Sequence, residues 1–469
     1  MKLFISIIVC KVLYFVGRLI GKGSSLPGQV ALRICPNALA LIRLPKVVIA
    51  ITGSNGKTST AELVTRSLES DGRSVGWNRE GSNQTEGVAT LILRISSLAG
   101  IVKKDALVLE CDERYAKKIF ENVKPTALLV TNLCRDQLTR NGHYEFIGNC
   151  IRDAINAAGK DIKLVLNADD PYVSALAYAE QLCDGKIRLL REAMWFGVGR
   201  DSVIKGKSDN TPLANNYIYD DGAFCPICKS KMTYEYRVAG HYGNYLCNAC
   251  GFARQKPNFE VVKIDYKSGD ISININTSNK SSAVETVLAL PSLVGAYNTT
   301  SAIAVAQTAG VVAEDSAKAL YNYELKGGRT IRFSANGRDG VLLIAKHENS
   351  FAYDQSLIWI ARQEKACTVV IMVDSISRKY YTSETSWLWD ISFDILEGEN
   401  VKDVVLVGKY ITELSMRFAL SSVNQKKISY IYEPSDLKTH LRKNTNGEIY
   451  AITCFADKAK LIHSLEGDD

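Results

Sequence analysis

The sequence predicts an α/β chain with two successive sheet domains, the first of them interrupted by a small cysteine-rich insert. Three observations carry that prediction. The β-branched run Val47-Val48-Ile49-Ala50-Ile51 feeds directly into Thr52-Gly53-Ser54-Asn55-Gly56-Lys57-Thr58-Ser59-Thr60, the pattern of a buried strand, a tight loop and a helix start. Further short apolar runs follow, each ending in a polar cluster and separated by helical stretches, which is the alternation of a parallel sheet covered by helices. From about Ile331 the alternation starts again, and 469 residues exceed what one core ordinarily holds.

Composition bounds the function. With 46% hydrophobic and 23% charged residues the chain is ordinary for a globular protein. A net charge of +7 without a long Lys/Arg run suits a phosphorylated substrate or an anionic membrane surface, and nothing indicates nucleic acid. The 12 cysteines are scattered except for two pairs, which argues for a reducing, cytoplasmic compartment and one metal site.

Leu3 to Ile20 is strongly apolar. Lys11 and Arg18 interrupt it on one helical face, and no small-residue cleavage site follows. The expected structure is an amphipathic helix in an N-terminal segment, 1–45, either packed against the next domain or lying on the inner face of a membrane.

At the first loop, backbone N–H groups, a helix dipole and a lysine converge, as the phosphates of a nucleoside triphosphate require. Gly53, Asn55, Gly56 and Ser59 shape that cradle, Lys57 neutralises the β- and γ-phosphates, and the Thr58 hydroxyl suits Mg²⁺. Ile51 stands where the longer form of such loops has its first glycine. The strand Ala106–Glu110 ends in a carboxylate at the edge of the sheet where ligands collect, making Glu110 a candidate Mg²⁺ ligand. Asp112 and Glu113 after it read as a solvated acidic loop.

The next strand, Ala127-Leu128-Leu129-Val130-Thr131, runs into Asn132 and Arg135-Asp136-Gln137. Then Lys163-Leu164-Val165-Leu166 leads to Asn167-Ala168-Asp169-Asp170-Pro171, with Asp169 or Asp170 expected near the nucleotide. Cys225-Pro-Ile-Cys228 and Cys247-Asn-Ala-Cys250 lie 18 residues apart, a spacing that brings four thiolates into a tetrahedron around structural Zn²⁺. Arg237, His241, Tyr242 and Tyr245 of that ribbon read as exposed surface or partner contacts. A small-residue helix is expected over Ala302 to Val312. Strands are expected at Val341–Ala345, Cys367–Val373, Val404–Val407 and Glu448–Ile452. The division is therefore 1–45, a central domain 46–325 with the ribbon at about 222–256, and a C-terminal Rossmann-like α/β domain 326–469.

Several of these motifs carry a family resemblance. The short Thr-Gly-x-Asn-Gly-Lys-Thr loop is similar to that of Mur ligases and folylpolyglutamate synthases. Arg135-Asp136-Gln137, the four-cysteine ribbon, Ser386-Trp387-Leu388-Trp389-Asp390 and the segment from Gly21 to Asn37 resemble the MurT family, the ligase subunit of lipid II isoglutaminyl synthase. The resemblance implies a Mur ligase-like ATP-binding domain, with Asn78 to Asn83 facing the γ-phosphate. It also implies that Asn298 in Gly295-Ala296-Tyr297-Asn298 contacts adenine, although Ser301 replaces a second asparagine. Arg329 of Gly327-Gly328-Arg329 would stabilise phosphoryl transfer.

The implied chemistry is ATP-dependent amidation of the D-glutamate α-carboxyl of lipid II, with ammonia from a GatD-like glutaminase partner in a heterodimer. In that family an aspartate of Asp-Gly-x-Asp completes the partner's Cys-His-Asp triad. Here Tyr381-Thr382-Ser383-Glu384 stands in its place, so Glu384, Asp374 and Asp390 are the candidates. Lys346-His347-Glu348 likewise replaces Lys-Asn-Pro. A Mur-type amino-acid ligase acting without a glutaminase is the alternative. A non-catalytic scaffold would be expected to lose Lys57, Thr58 or Glu110, and all three are present.

Overall fold

The N-terminal segment folds as three helices, α1 (Lys2–Leu19), α2 (Leu26–Ile34) and α3 (Ala38–Leu41). α2 carries Pro27 in its first turn and crosses α5 (Thr85–Ile95) at Gly28, where a Cβ would lie 1.9 Å from the Glu86 carbonyl oxygen. Only a residue without a side chain allows that approach. In this computed structural model, residues 1–19, 24–79, 82–203, 220–277, 280–326, 329–375 and 385–466 are described.

Strand β1 (Val47–Thr52) delivers the chain into α4 (Lys57–Ser70), and α4 and α5 are followed by the strands they alternate with. These are β2 (Val75–Trp77), β3 (Ala106–Glu110), β4 (Ala127–Val130), β5 (Lys163–Asn167) and β6 (Ala193–Val198). A hairpin of β7 (Thr233–Ala239) and β8 (Tyr242–Leu246) carries the cysteine pairs at its base. β9 (Phe259–Ile264), β10 (Asp270–Thr277) and β11 (Lys280–Val287) then close a nine-stranded sheet in the order β11-β10-β9-β6-β5-β4-β1-β3-β2.

From β2 to β9 the neighbours run parallel, as β-branched runs buried on both faces require. The far edge is an antiparallel meander, which the sequence reading does not assign. Its signal is nonetheless present: Ile271, Ile273 and Ile275 alternate with polar residues and are buried.

The expected helix over Ala302 to Val312 is longer and earlier. It runs Leu293–Thr308, capped by Ser292, whose hydroxyl accepts the Gly295 N–H at 3.0 Å, and the chain turns away at Gly310 with φ 91°. The helix is buried almost throughout, which its alanines permit.

Two compact units emerge. The first comprises the described residues up to 133, from 144 to 203 and from 221 to 326; the second takes 134–143 and Asp220 together with the residues from 329 onward. The second unit is a six-stranded sheet in the order β12-β13-β17-β14-β15-β16. Its strands are β12 (Thr330–Ala335), β13 (Arg338–Ala345), β14 (Cys367–Met372), β15 (Val401–Val407), β16 (Ile428–Ile431) and β17 (Glu448–Cys454). All neighbours are parallel except β12 and β13, which pair as a hairpin. Leu342, Val370, Val405 and Ala451 centre its core.

Candidate functional site

In the first sheet β1 lies between β3 and β4, with Ile51 opposite Glu110 and Thr52 opposite Val130. The strand order reverses there, and the loop after β1, the end of β3 and the residues after β4 share one carboxyl edge, the usual place for a ligand in an open α/β sheet.

The loop is braced from below by β4. Ser54 N–H donates to the Asn132 carbonyl oxygen at 2.9 Å and Asn55 N–H to Asn132 Oδ1 at 2.8 Å, while Asn132 Nδ2 returns a bond to Asn55 O at 3.1 Å. The Thr131 hydroxyl donates to the same oxygen at 2.7 Å. Asn132 therefore shapes the loop. Gly56 has φ 82°, and a Cβ there would sit 2.5 Å from Asn298 Oδ1, so Asn298 lies directly against the loop. Ser59 follows half-buried in the first turn of α4.

Lys57, at the start of α4, is buried. Its Nζ donates to Gly53 O and to Glu113 Oε1, the latter at 2.6 Å, and Glu113 Oε1 also accepts the Gly53 N–H at 3.2 Å. Glu113 is only 4% exposed and Asp112 only 3%, which corrects the expectation of a solvated acidic loop. The reason is the turn after β3: Asp112 N–H donates to Asn83 O, and Asp112 Oδ1 accepts the Arg114 N–H at 3.1 Å, folding the acids inward. No sequence signal marked Glu113, because burial of that turn depends on Lys57, 56 residues earlier.

Glu110 sits where the strand reading put it. Its backbone exchanges two bonds of 2.8 Å with the Asn78 side chain, its Oε2 accepts from Thr58 Oγ1 at 2.8 Å, and its Oε1 accepts from Asn83 Nδ2 at 3.2 Å. A hydroxyl and a carboxylate oxygen thus converge beside the loop, an oxygen donor set that fits Mg²⁺.

Asp169 and Asp170, expected near the nucleotide, are held in hydrogen bonds within the fold. Asp170 caps the helix Pro171–Ser174 and accepts the Leu133 N–H at 2.7 Å, with His241 Nε2 3.4 Å away. Asp169 holds Arg254 Nε at 2.7 Å and accepts from the Tyr297 hydroxyl at 2.6 Å and the Val198 N–H at 2.7 Å. Fully buried, both tie the ribbon to the sheet. His241, Tyr242 and Tyr245 are buried in that seam rather than exposed or presented to a partner, and Arg237 covers the Tyr234 ring at 4.2 Å. Burial pushes the Tyr297 and Tyr245 hydroxyls far above their usual range.

The four thiols of Cys225, Cys228, Cys247 and Cys250 lie within 4.8 Å of one another. Burial raises the Cys225 thiol; at Cys228 burial is outweighed by hydrogen bonds from Ser230, which bring it down to about 6. Four sulfur donors at this spacing fit Zn²⁺ in a closed structural site.

The second unit gathers the other motifs. Asp136 is buried and accepts from Lys346 Nζ at 3.0 Å and Asn349 Nδ2 at 2.7 Å, and Gln137 N–H donates to Glu348 O at 3.0 Å. Arg135 Nη1 binds Asp390 Oδ2 at 3.0 Å. Arg-Asp-Gln and Lys-His-Glu are thus partners, a link invisible to spacing. Asp374 pairs with Lys460 at 2.7 Å and accepts the Lys409 N–H at 3.1 Å. Arg329 is exposed and its carbonyl accepts the Ile344 N–H. Glu384, Gly327 and Gly328 lie outside the described residues.

Residues 51–188 match the Mur ligase middle domain, and residues 347–456 match the MurT ligase C-terminal domain. The chain is 25% identical to the MurT subunit of the glutamine-hydrolysing lipid II isoglutaminyl synthase of Staphylococcus aureus (strain N315), over 90% of this chain and 89% of the relative. Among solved structures, the type C pseudomurein peptide ligase of Methanothermus fervidus is similar at TM-score 0.67 and 18% identity, covering 92% of this chain and 81% of its own. The MurF ligase of Thermotoga maritima, solved with ADP, is similar at TM-score 0.59 and 14% identity, covering 94% and 82%. With a Mur-type loop and a Glu110–Thr58 hydrogen bond beside it, the chain carries a Mur ligase middle domain and a MurT ligase C-terminal domain, and over its length it is similar to MurT ligase subunits.

Proposed function

We propose that the chain is the ligase subunit of an enzyme that amidates the D-glutamate α-carboxyl of the lipid II stem peptide, in peptidoglycan synthesis, at the expense of ATP. The observation that carries this reading is the convergence of Lys57, Thr58 and Glu110 on the loop after β1, in a chain whose curated relative is named for that synthase.

The substrate carboxylate attacks the γ-phosphorus of ATP, the bond to the β-phosphate oxygen breaks, and an acyl phosphate and ADP result. Ammonia then attacks the acyl carbon, phosphate leaves, and the nitrogen loses a proton to give the amide. Lys57 holds the phosphates, loop N–H groups orient them, and Arg329 is assigned to the charge that develops during transfer. Thr58 and Glu110 would hold Mg²⁺, which when bound neutralises phosphate charge. Asn298 borders the nucleotide, and the four cysteines hold Zn²⁺ away from the chemistry. A GatD-like partner supplies ammonia from glutamine, with Glu384, Asp374 or Asp390 completing its triad. The site of action is the cytoplasmic face of the membrane, where lipid II is anchored.

Mass spectrometry of lipid II incubated with the chain, a GatD-like subunit, ATP and glutamine should show a carboxyl converted to a carboxamide, and Lys57→Ala should abolish it. The altered Tyr381–Glu384 segment favours a second reading, a Mur-type amino-acid ligase. Addition of an amino acid without any glutaminase would establish that reading and sink the first.

A further inference from the structure

Helix α1 is built inside out for a surface helix. It buries Ser6, Ile7, Cys10 and Gly17 along one side. There Ser6 Oγ donates to Ala31 O at 2.8 Å, Lys11 Nζ to Arg94 O at 2.9 Å, and Arg94 lies over the Tyr14 ring at 4.4 Å. At about 100° per residue, the opposite arc, about 120° wide, presents Phe4, Ile8, Val12, Phe15, Val16 and Leu19 with no polar side chain among them. All six are exposed, Phe15 by 71% and Leu19 by 77%. A solvated helix ordinarily puts its charged residues there.

Charge surrounds this arc on one sign only. By the same geometry Lys11 and Arg18 border it on one side and Lys2 on the other. The first 61 residues contain eight Lys or Arg and no Asp or Glu. Among the described residues no helix is long and apolar enough to cross a membrane, and α1 is fastened along its inner side to α2 and α5. A span is therefore excluded for α1 as folded.

We propose that the outer face of α1 docks on an anionic lipid bilayer, with the helix lying in the interface plane. The apolar arc enters the acyl boundary, while Lys2 and Arg18 reach up to the lipid phosphates on flexible stems. Two surfaces match in kind: an unbroken apolar strip edged by cations, and an apolar layer roofed by anions. The proposal stands on α1 alone, and its test needs no turnover, so it can fail without the ligase reading failing.

The test uses the full chain and vesicles. Phosphatidylglycerol vesicles should co-sediment the protein, and phosphatidylcholine vesicles should do so at least about tenfold less well, since each basic residue near an anionic surface adds to binding. The double variant Phe15→Glu, Leu19→Glu should lose at least about tenfold in partitioning to phosphatidylglycerol, because both side chains leave the acyl layer. Its melting temperature should be unchanged, both positions being exposed. Equal sedimentation of variant and wild type, or none of the wild type, overturns the proposal. So does a dimer in the absence of lipid that the double variant converts to monomer, which would make this face a contact between two copies of the chain.

Discussion

Glu113 occupies two of the groups that a phosphate loop offers to an anion, the Gly53 N–H and the Lys57 ammonium. The pair is buried, at 6% and 4% exposure, so removing one partner strands a charge. Glu113→Gln should therefore destabilise the nucleotide-free chain by about 3 to 5 kcal/mol, and saturating ATP should restore more of the melting temperature than in wild type. An unchanged melting temperature without nucleotide would show that the pair carries no stability. Asp354, in the second unit, gives a different signature. Burial pushes its carboxyl up to about 7, with Asp390 adding and Arg417 opposing, and it accepts the Ser392 N–H at 2.8 Å. The folded chain keeps this proton where the unfolded chain, at its usual 3.8, has released it. Its contribution is thus complete below about pH 4 and lost as pH rises through about 7. Asp354→Asn should raise stability near pH 8 and leave it unchanged near pH 4; a parallel shift at both would reject the assignment.

At the scale of elements, the ribbon is the clearest case of a part that stabilises a whole. Cys225, Cys247 and Phe252 belong to the same buried cluster as Leu128, Leu164 and Ile151 of the first unit. Stripping the metal, or Cys247→Ser, should lower the melting temperature and weaken hydrogen-exchange protection in β5 as well as in the hairpin. Loss confined to β7 and β8 would contradict that continuity, and metal analysis should find about one Zn²⁺ per chain. The ribbon's existence was legible in its cysteine spacing, yet its docking was not, because His241 and Tyr242 read as exposed surface or partner contacts, and Asp169 or Asp170 only as residues near the nucleotide, with nothing to show that Asp170 faces His241 and Asp169 holds Arg254. The central parallel strands β1, β3, β4, β5, β13, β14, β15 and β17 were legible for a simpler reason: β-branched runs such as Val47 to Ile51 and Cys367 to Val373 are buried on both faces and interrupted by little else. β12 and β16 escaped because each mixes polar and apolar residues at an edge. Glu110 could be found from the end of its strand, whereas Glu113 needed the fold of the turn beyond it.

At the scale of the molecule, the second unit is not one continuous stretch of chain, since residues 134–143 belong to it together with those from 329 onward. Asp136 is its internal counterion: it pairs with Lys346 and Asn349, the latter fully buried. Asp136→Ala should lower the stability of the C-terminal sheet selectively, seen as lost exchange protection in β13, with the strands of the first unit unaffected; a uniform loss would refute it. The same layout has a consequence for synthesis on the ribosome. The Arg135-Asp136-Gln137 segment emerges 210 residues before Lys346, the side chain that neutralises it. At roughly 5–20 residues per second it waits on the order of ten seconds or more without its partner. During that interval a nascent chain carries an unmatched acid and arginine, while a C-terminal fragment expressed alone leaves their partners Lys346 and Asp390 unmatched, so either that fragment or a ribosome stalled before β13 should yield a species that chaperones hold and proteases cut.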